Sequence, residues 1–158
     1  MTEVLTTFGL GLASALIPLI NIEIYLSGLV AAQRVGPGEA IALAIASGVG
    51  QTIGKIVWYE IASRSMESAW VKKKLAQDKW KLSYQKWQLR IQGRPWYAGS
   101  IIFAAAFLGV PPLLVLAVVA GSLRMPRSVF IPMVLVGRIG RFYLILAAGG
   151  SLYDILFK

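Results

Sequence analysis

The sequence predicts an all-α integral membrane protein, and three observations carry that prediction. The chain is 57% hydrophobic over 158 residues, with a mean hydropathy of +0.68, well above an ordinary soluble domain. Its apolar residues fall into four long stretches, two of them interrupted near the middle by proline and a third carrying Pro132 near its start. Most of its charge sits in one loop: residues 64–94 hold nine Lys/Arg against Glu67 and Asp78, which is +7 of a net +9. The length fits one membrane domain, residues 1–158.

Residues 4–33 are long enough to cross a bilayer, since about 20 apolar residues suffice. Yet Pro18, Asn21 and Glu23 fall within six residues. A proline, an amide and a carboxylate so close together predict a broken or re-entrant helix. Such backbone survives in a membrane only where protein or a wet cavity covers it. Gly36-Pro37-Gly38 is a turn, and Glu39 suits the first turn of the next helix. Residues 39–62 read as a transmembrane helix whose small residues (Ala42, Ala44, Ala46, Ser47, Gly48, Gly50, Gly54) permit close helix contact. Trp58 and Tyr59 near its end fit an aromatic belt.

Residues 64–96 form a basic amphipathic linker. Trp80, Tyr84, Trp87 and Ile91 follow at spacings of four, three and four, which is one helix face. Aromatics flanked by lysines suit a helix lying on an anionic leaflet; a cytoplasmic helical hairpin packing its tryptophans on itself is the alternative. Residues 97–121 are the second interrupted stretch, since Pro111-Pro112 cannot sit inside a regular helix. Residues 122–127 form a turn. Residues 128–150 form the last transmembrane helix, with Gly149-Gly150 as its expected end.

The charge distribution and composition narrow the function. A basic loop between apolar segments obeys the positive-inside rule, so loop 64–94 is expected in the cytoplasm and no nucleic-acid partner is expected. The first residues lack a basic region, which argues against a cleavable signal peptide. With no cysteine and no histidine, disulfides, Cys/His metal sites and Cys- or His-based catalysis are excluded. No nucleophile–base pair, metal cluster or phosphate-binding loop for ATP is evident, so neither an enzyme nor a cofactor is expected.

The interrupted halves read like one unit written twice. Ile17-Pro18 precedes Gly28, and Val110-Pro111 precedes Gly121, with ten residues from proline to glycine in both. Each is followed by a turn and an apolar helix with glycines beside a cation: Gly50-Gln51-Thr52-Ile53-Gly54-Lys55 and Gly137-Arg138-Ile139-Gly140-Arg141. Broken segments at matching positions in two halves point to a transporter-type site at mid-membrane. If both re-enter, the halves form inverted repeats, each a hairpin plus a transmembrane helix.

The candidate binding residues are the polar groups set in apolar sequence: Glu23, Lys55, Arg138, Arg141, Asn21 and Gln51. A lone carboxylate in hydrocarbon must be paired, wet or protonated. Glu23 reads as a proton-linked switch or a gate; a structural ion pair is the alternative. Arg138 and Arg141 share a helix face, and a guanidinium fork matches phosphate. Snorkelling to the interface is the alternative for these cations, Lys55 above all. Asn21 and Gln51 suit a headgroup contact or the capping of broken helix ends. Pro18, Gly28, Pro111, Pro112 and Gly121 are expected to shape the hairpins.

These residues together resemble the DedA/VTT superfamily of membrane proteins. Pro18-Leu19-Ile20-Asn21-Ile22-Glu23 with Gly28 resembles its Pro-x-x-x-x-Glu…Gly re-entrant segment, and Gly50 to Tyr59 its Gly-x-x-x-Gly…Tyr helix. Pro111-Pro112…Ala120-Gly121-Ser122-Leu123-Arg124-Met125-Pro126 with Phe130 resembles the second re-entrant segment. Gly137-Arg138-Ile139-Gly140-Arg141-Phe142 resembles the closing motif of smaller members. The resemblance covers residues 9–150. Two departures stand out: Lys55 replaces the aspartate of many members, and Ala104–Pro111 lacks the arginine of larger ones. The resemblance implies two opposed re-entrant hairpins and transbilayer lipid movement, in bacterial members linked to the undecaprenyl phosphate carrier.

The expected function is therefore a flippase- or scramblase-type transporter of a phosphate-bearing lipid in the bacterial cytoplasmic membrane. Anionic lipids are the expected partners, protons or cations the candidate coupling ions, and a homodimer is a candidate assembly. The alternatives are a small ion-coupled solute or drug exporter and a non-transporting membrane scaffold.

Overall fold

The computed structural model describes residues 1–17, 20–32, 35–69, 72–73, 78–109 and 113–156, with side chains for all of these except 78–81, 83–84, 87 and 150–156. Among the described residues there are seven helices and no strand: α1 (Thr2–Leu16), α2 (Ile22–Ala32), α3 (Pro37–Ser65), α4 (Asp78–Gly93), α5 (Pro95–Leu108), α6 (Leu113–Ser122) and α7 (Arg127–Leu156).

Both interrupted stretches are each cut into two short helices, of 15 and 11 residues and of 14 and 10. The first break begins at Ile17, whose backbone is extended. Asn21 Oδ1 then accepts a hydrogen bond from the Glu23 amide at 2.9 Å, satisfying a donor at the start of α2 that no helical carbonyl can reach. The second break begins at Gly109, with φ of 81°, a left-handed helix end that favours glycine. Pro18, Pro111 and Pro112, the expected hairpin formers, lie outside the described residues.

By contrast α3 and α7 are long. Pro37–Ser65 and the Arg127–Gly149 part of α7 are each long and apolar enough to cross a membrane. Along α3 the exposed apolar residues Ile41, Ile45, Ile53, Val57 and Ile61 recur at multiples of four. Twenty residues of helix rise ~30 Å, about the thickness of a bilayer's hydrocarbon core. The expected end of the last helix at Gly149-Gly150 is corrected, because α7 runs on to Leu156. A Cβ on Gly149 would collide with the Val30 side chain, so close packing accounts for this glycine where helix termination does not.

The chain divides into two compact units. The first comprises Met1–Gly54 and Leu135–Lys158. Its apolar core gathers Ile22, Leu26 and Val30 of α2, Leu43 and Ala44 of α3, and Phe142 and Leu146 of α7. A glycine seam joins α1 to α3. A Cβ on Gly11 would meet the Ser47 backbone, one on Gly50 the Phe8 carbonyl oxygen, and one on Gly54 the Ala15 side chain.

The second unit is Lys55–Val134. Its core is Tyr59, Ile102, Ala105, Ala106, Leu113, Ala117, Ala120, Met125, Val129, Phe130 and Val134. Here the turn between α6 and α7 is tied to the end of α3. The buried Tyr59 hydroxyl donates to the Met125 carbonyl, Arg127 pairs with Glu60 at 2.8 Å, and Arg124 pairs with Glu67 at 3.0 Å. Arg124 itself has φ of 51°, a strained conformation for a residue with a Cβ. The expected lipid-facing stripe of α4 is also revised at one position: Ile91 packs against this core. The side chains of Trp80, Tyr84 and Trp87 lie outside the description.

Candidate functional site

The first unit brings Glu23, Arg138 and Arg141 together from segments more than a hundred residues apart. The capped start of α2 fixes Glu23 in its first turn, one residue after buried Ile22. Arg138 and Arg141 lie three apart on α7, so both reach the same side of that helix. Arg141 clasps the carboxylate with a two-pronged fork: Nε donates to Glu23 Oε1 at 2.6 Å and Nη2 to Oε2 at 2.8 Å. Arg138 Nη1 stands 3.8 Å from the same Oε1, within ion-pair range but beyond a hydrogen bond. Its guanidinium also lies over the Phe142 ring, 5.8 Å from the centroid, where the ring's negative face attracts a cation.

Two guanidiniums thus face one carboxylate, and they are not equally served. Arg138 is only 8% exposed, and its Nε has no hydrogen-bond partner among the described residues. A buried donor without a partner costs about 1–3 kcal/mol, more when the group is charged. Among the described residues the cluster therefore sets two guanidiniums on one carboxylate and leaves one buried donor, Arg138 Nε, unmatched. An anionic oxygen acceptor such as phosphate or carboxylate is the kind of group that matches a guanidinium donor.

The other candidates are placed as follows. Asn21 caps α2 and so positions Glu23. Gln51 is buried on α3, and its Nε2 donates to Ser14 Oγ of α1 at 2.8 Å. Ser14 Oγ in turn donates a hydrogen bond to the Gly11 carbonyl at 2.9 Å. Gln51 Oε1 has no partner among the described residues. Lys55 is buried, 5% exposed, at the start of the second unit. Gly121 passes directly over the Tyr59 backbone, where no Cβ fits, whereas a Cβ on Gly28 would meet nothing among the described residues.

Sequence reading misses two participants. Phe142 lies four residues after Arg138, and that spacing was the available signal, since side chains at i and i+4 meet on a helix. Ser14 carries no such signal, because its partner is 37 residues away. Among the described residues no group of His, Cys, Asp or Glu could hold a metal ion. Comparison with protein-family models, with curated proteins and with solved structures finds no match to this chain.

Proposed function

We propose that this chain is an integral membrane transporter that moves a phosphate-bearing lipid across the bilayer, with Arg138 and Arg141 receiving the headgroup. The observation that carries the reading is Arg138: a buried guanidinium on a helix long and apolar enough to cross a membrane, with an unpartnered Nε, beside a second arginine. Ionisable groups inside membrane segments are retained for function far more readily than for stability. Glu23 holds the arginine forks in register while no ligand is bound, and the incoming phosphate replaces it. The carboxylate's partial exposure leaves it able to swing away.

In this reading the four short apolar helices form two re-entrant hairpins, each too short to cross alone, and they enter from opposite sides as inverted repeats. The +7 loop then lies on the cytoplasmic side of a bacterial inner membrane. The likeness of residues 9–150 to the DedA/VTT superfamily supports the same substrate class, a polyprenyl phosphate such as the undecaprenyl carrier or a phospholipid.

The test is transbilayer movement of a labelled polyprenyl phosphate and a labelled phospholipid in proteoliposomes, with and without a pH gradient. The wild-type chain is expected to accelerate at least one, and Arg138→Ala and Glu23→Ala, inserted normally, are expected to lose that acceleration. Full transport by both variants, or no movement of either lipid by folded wild-type protein, overturns the proposal. Dependence on the gradient separates a coupled transporter from a passive scramblase.

A further inference from the structure

A different surface, in the second unit, carries an inference that rests on the proposed membrane embedding but not on transport. Helix α4 has two faces. Ile91 turns inward and packs on the apolar core. At 100° per residue, Leu82 and Leu89 lie about 160–180° around the helix from Ile91. Both are exposed, Leu82 at 57% and Leu89 at 69%. The packing of Ile91 therefore fixes the roll of α4 so that two leucines, seven residues apart, point away from the protein. Exposed Lys86 lies at the edge of this outer face, and exposed Arg90 beyond it.

The neighbouring helix says what lies against that face. α5 begins only two residues after α4 ends, and its first turn exposes Trp96 at 66% and Tyr97 at 59%. Exposed aromatic side chains at the start of an apolar helix sit at the headgroup level of a bilayer. The end of α4 is thereby held at that level as well. A helix lying there, with leucines outward and cations beside them, has the make-up of one that rests its apolar face in the headgroup boundary and its charge among anionic lipids. The charge is one-sided: residues 64–94 carry nine cations and two acids, and one of those acids, Glu67, is already paired with Arg124.

We infer that the Leu82–Lys86–Leu89 face of α4 docks on an anionic leaflet, with the leucines below the phosphates and Lys86 and Arg90 contacting acidic headgroups. This is the face opposite to the Ile91 stripe. A basic residue close to an anionic surface strengthens partition by about fivefold, so the docking equilibrium depends on the acidic lipid content of that leaflet.

The chain has no cysteine, which allows each position to carry a single nitroxide label without background. Leu82→Cys, Leu89→Cys and Gln92→Cys are labelled in the full-length protein. Each is reconstituted into phosphatidylcholine vesicles and into vesicles that also contain phosphatidylglycerol. Collision with oxygen, compared with a water-soluble nickel chelate, reports depth. In the phosphatidylglycerol vesicles, labels at 82 and 89 are expected to favour oxygen several-fold more than the label at 92. That contrast is expected to shrink in neutral vesicles, and also when Lys86→Gln and Arg90→Gln are added, by about fivefold in the docking equilibrium for each. Labels at 82 and 89 that stay as water-accessible as 92 in both vesicles overturn the docking. Depth that is equal with and without phosphatidylglycerol overturns the anionic preference. Helical circular dichroism of every labelled sample separates these results from misfolding.

Discussion

The first unit buries Thr7, Ser14, Ser47, Gln51, Thr52 and Arg138 beside its apolar core, whereas the second centres on a ring contact between Tyr59 and Phe130, 5.0 Å between centroids. Each unit contains one interrupted apolar stretch and part of each long helix, so similar parts are filled with different chemistry. In the second unit the Tyr59 hydroxyl is matched to a carbonyl. In the first, one donor and one acceptor, Arg138 Nε and Gln51 Oε1, lack a match among the described residues. Burial of apolar surface stabilises in proportion to area, while a desolvated charge gains little even when paired. The difference teaches how unevenly polar burial is shared: apart from Lys55, buried at its very start, the second unit is filled with apolar and ring contacts, while the first holds several polar groups that stability alone does not favour.

The largest expected effect tests the packing side of this contrast. Gly121→Ala in the second unit pushes a methyl into the Tyr59 backbone, which has no flexible end to move aside, and is expected to destabilise by about 3 kcal/mol. Gly28→Ala in the first unit enters open space within a helix and is expected to be neutral or to stabilise by about 0.5–1 kcal/mol. Equilibrium unfolding of the detergent-solubilised protein measures both; equal losses at the two glycines break the comparison.

Polar substitutions come next and sharpen it. Tyr59→Phe leaves the buried Met125 carbonyl without its donor and is expected to cost about 1–2 kcal/mol. Gln51→Leu removes a half-satisfied amide and leaves Ser14 still bonded to the Gly11 carbonyl, so its cost is expected to stay below about 1 kcal/mol. If Gln51→Leu proves the more damaging, the buried amide is holding the first unit together and the division of roles fails.

The smallest effect concerns positioning. Asn21→Ala removes the cap of α2 and is expected to cost about 1 kcal/mol. Because the cap holds the backbone of Glu23 itself, the variant also loosens the fork on Arg141. Amide hydrogen exchange is expected to rise at the start of α2 while the second unit is unchanged; uniform exchange across both units would show that the cap acts on the whole fold instead.

Much of the fold was legible because its determinants are local. Long apolar runs and their interruptions act within a few residues, so the two long helices and the two breaks fall near their expected places, although Pro37 and Gly38, expected in a turn, instead open α3. The pairing within the candidate site was not legible. Glu23, Lys55, Arg138 and Arg141 stand out one by one as polar groups in apolar sequence, but nothing local says that Glu23 meets an arginine 118 residues away. Spacing makes Gly28 and Gly121 equivalents, yet a glycine's role depends on what passes beside it, and only Gly121 has a backbone there. The end of α7 was misjudged for the same reason, since Gly149 answers to Val30 rather than to its own helix.

The glycine seam between α1 and α3 also sets a limit on how such a chain can diverge. If Glu23 and Arg138 receive a ligand as proposed, a lineage that changes that ligand can exchange them. Gly11, Gly50 and Gly54 are bound by excluded volume, which no change of ligand relaxes. Under that proposal, lineages with different ligands should differ first at Glu23 and Arg138, and share these three small residues long after that chemistry has been replaced.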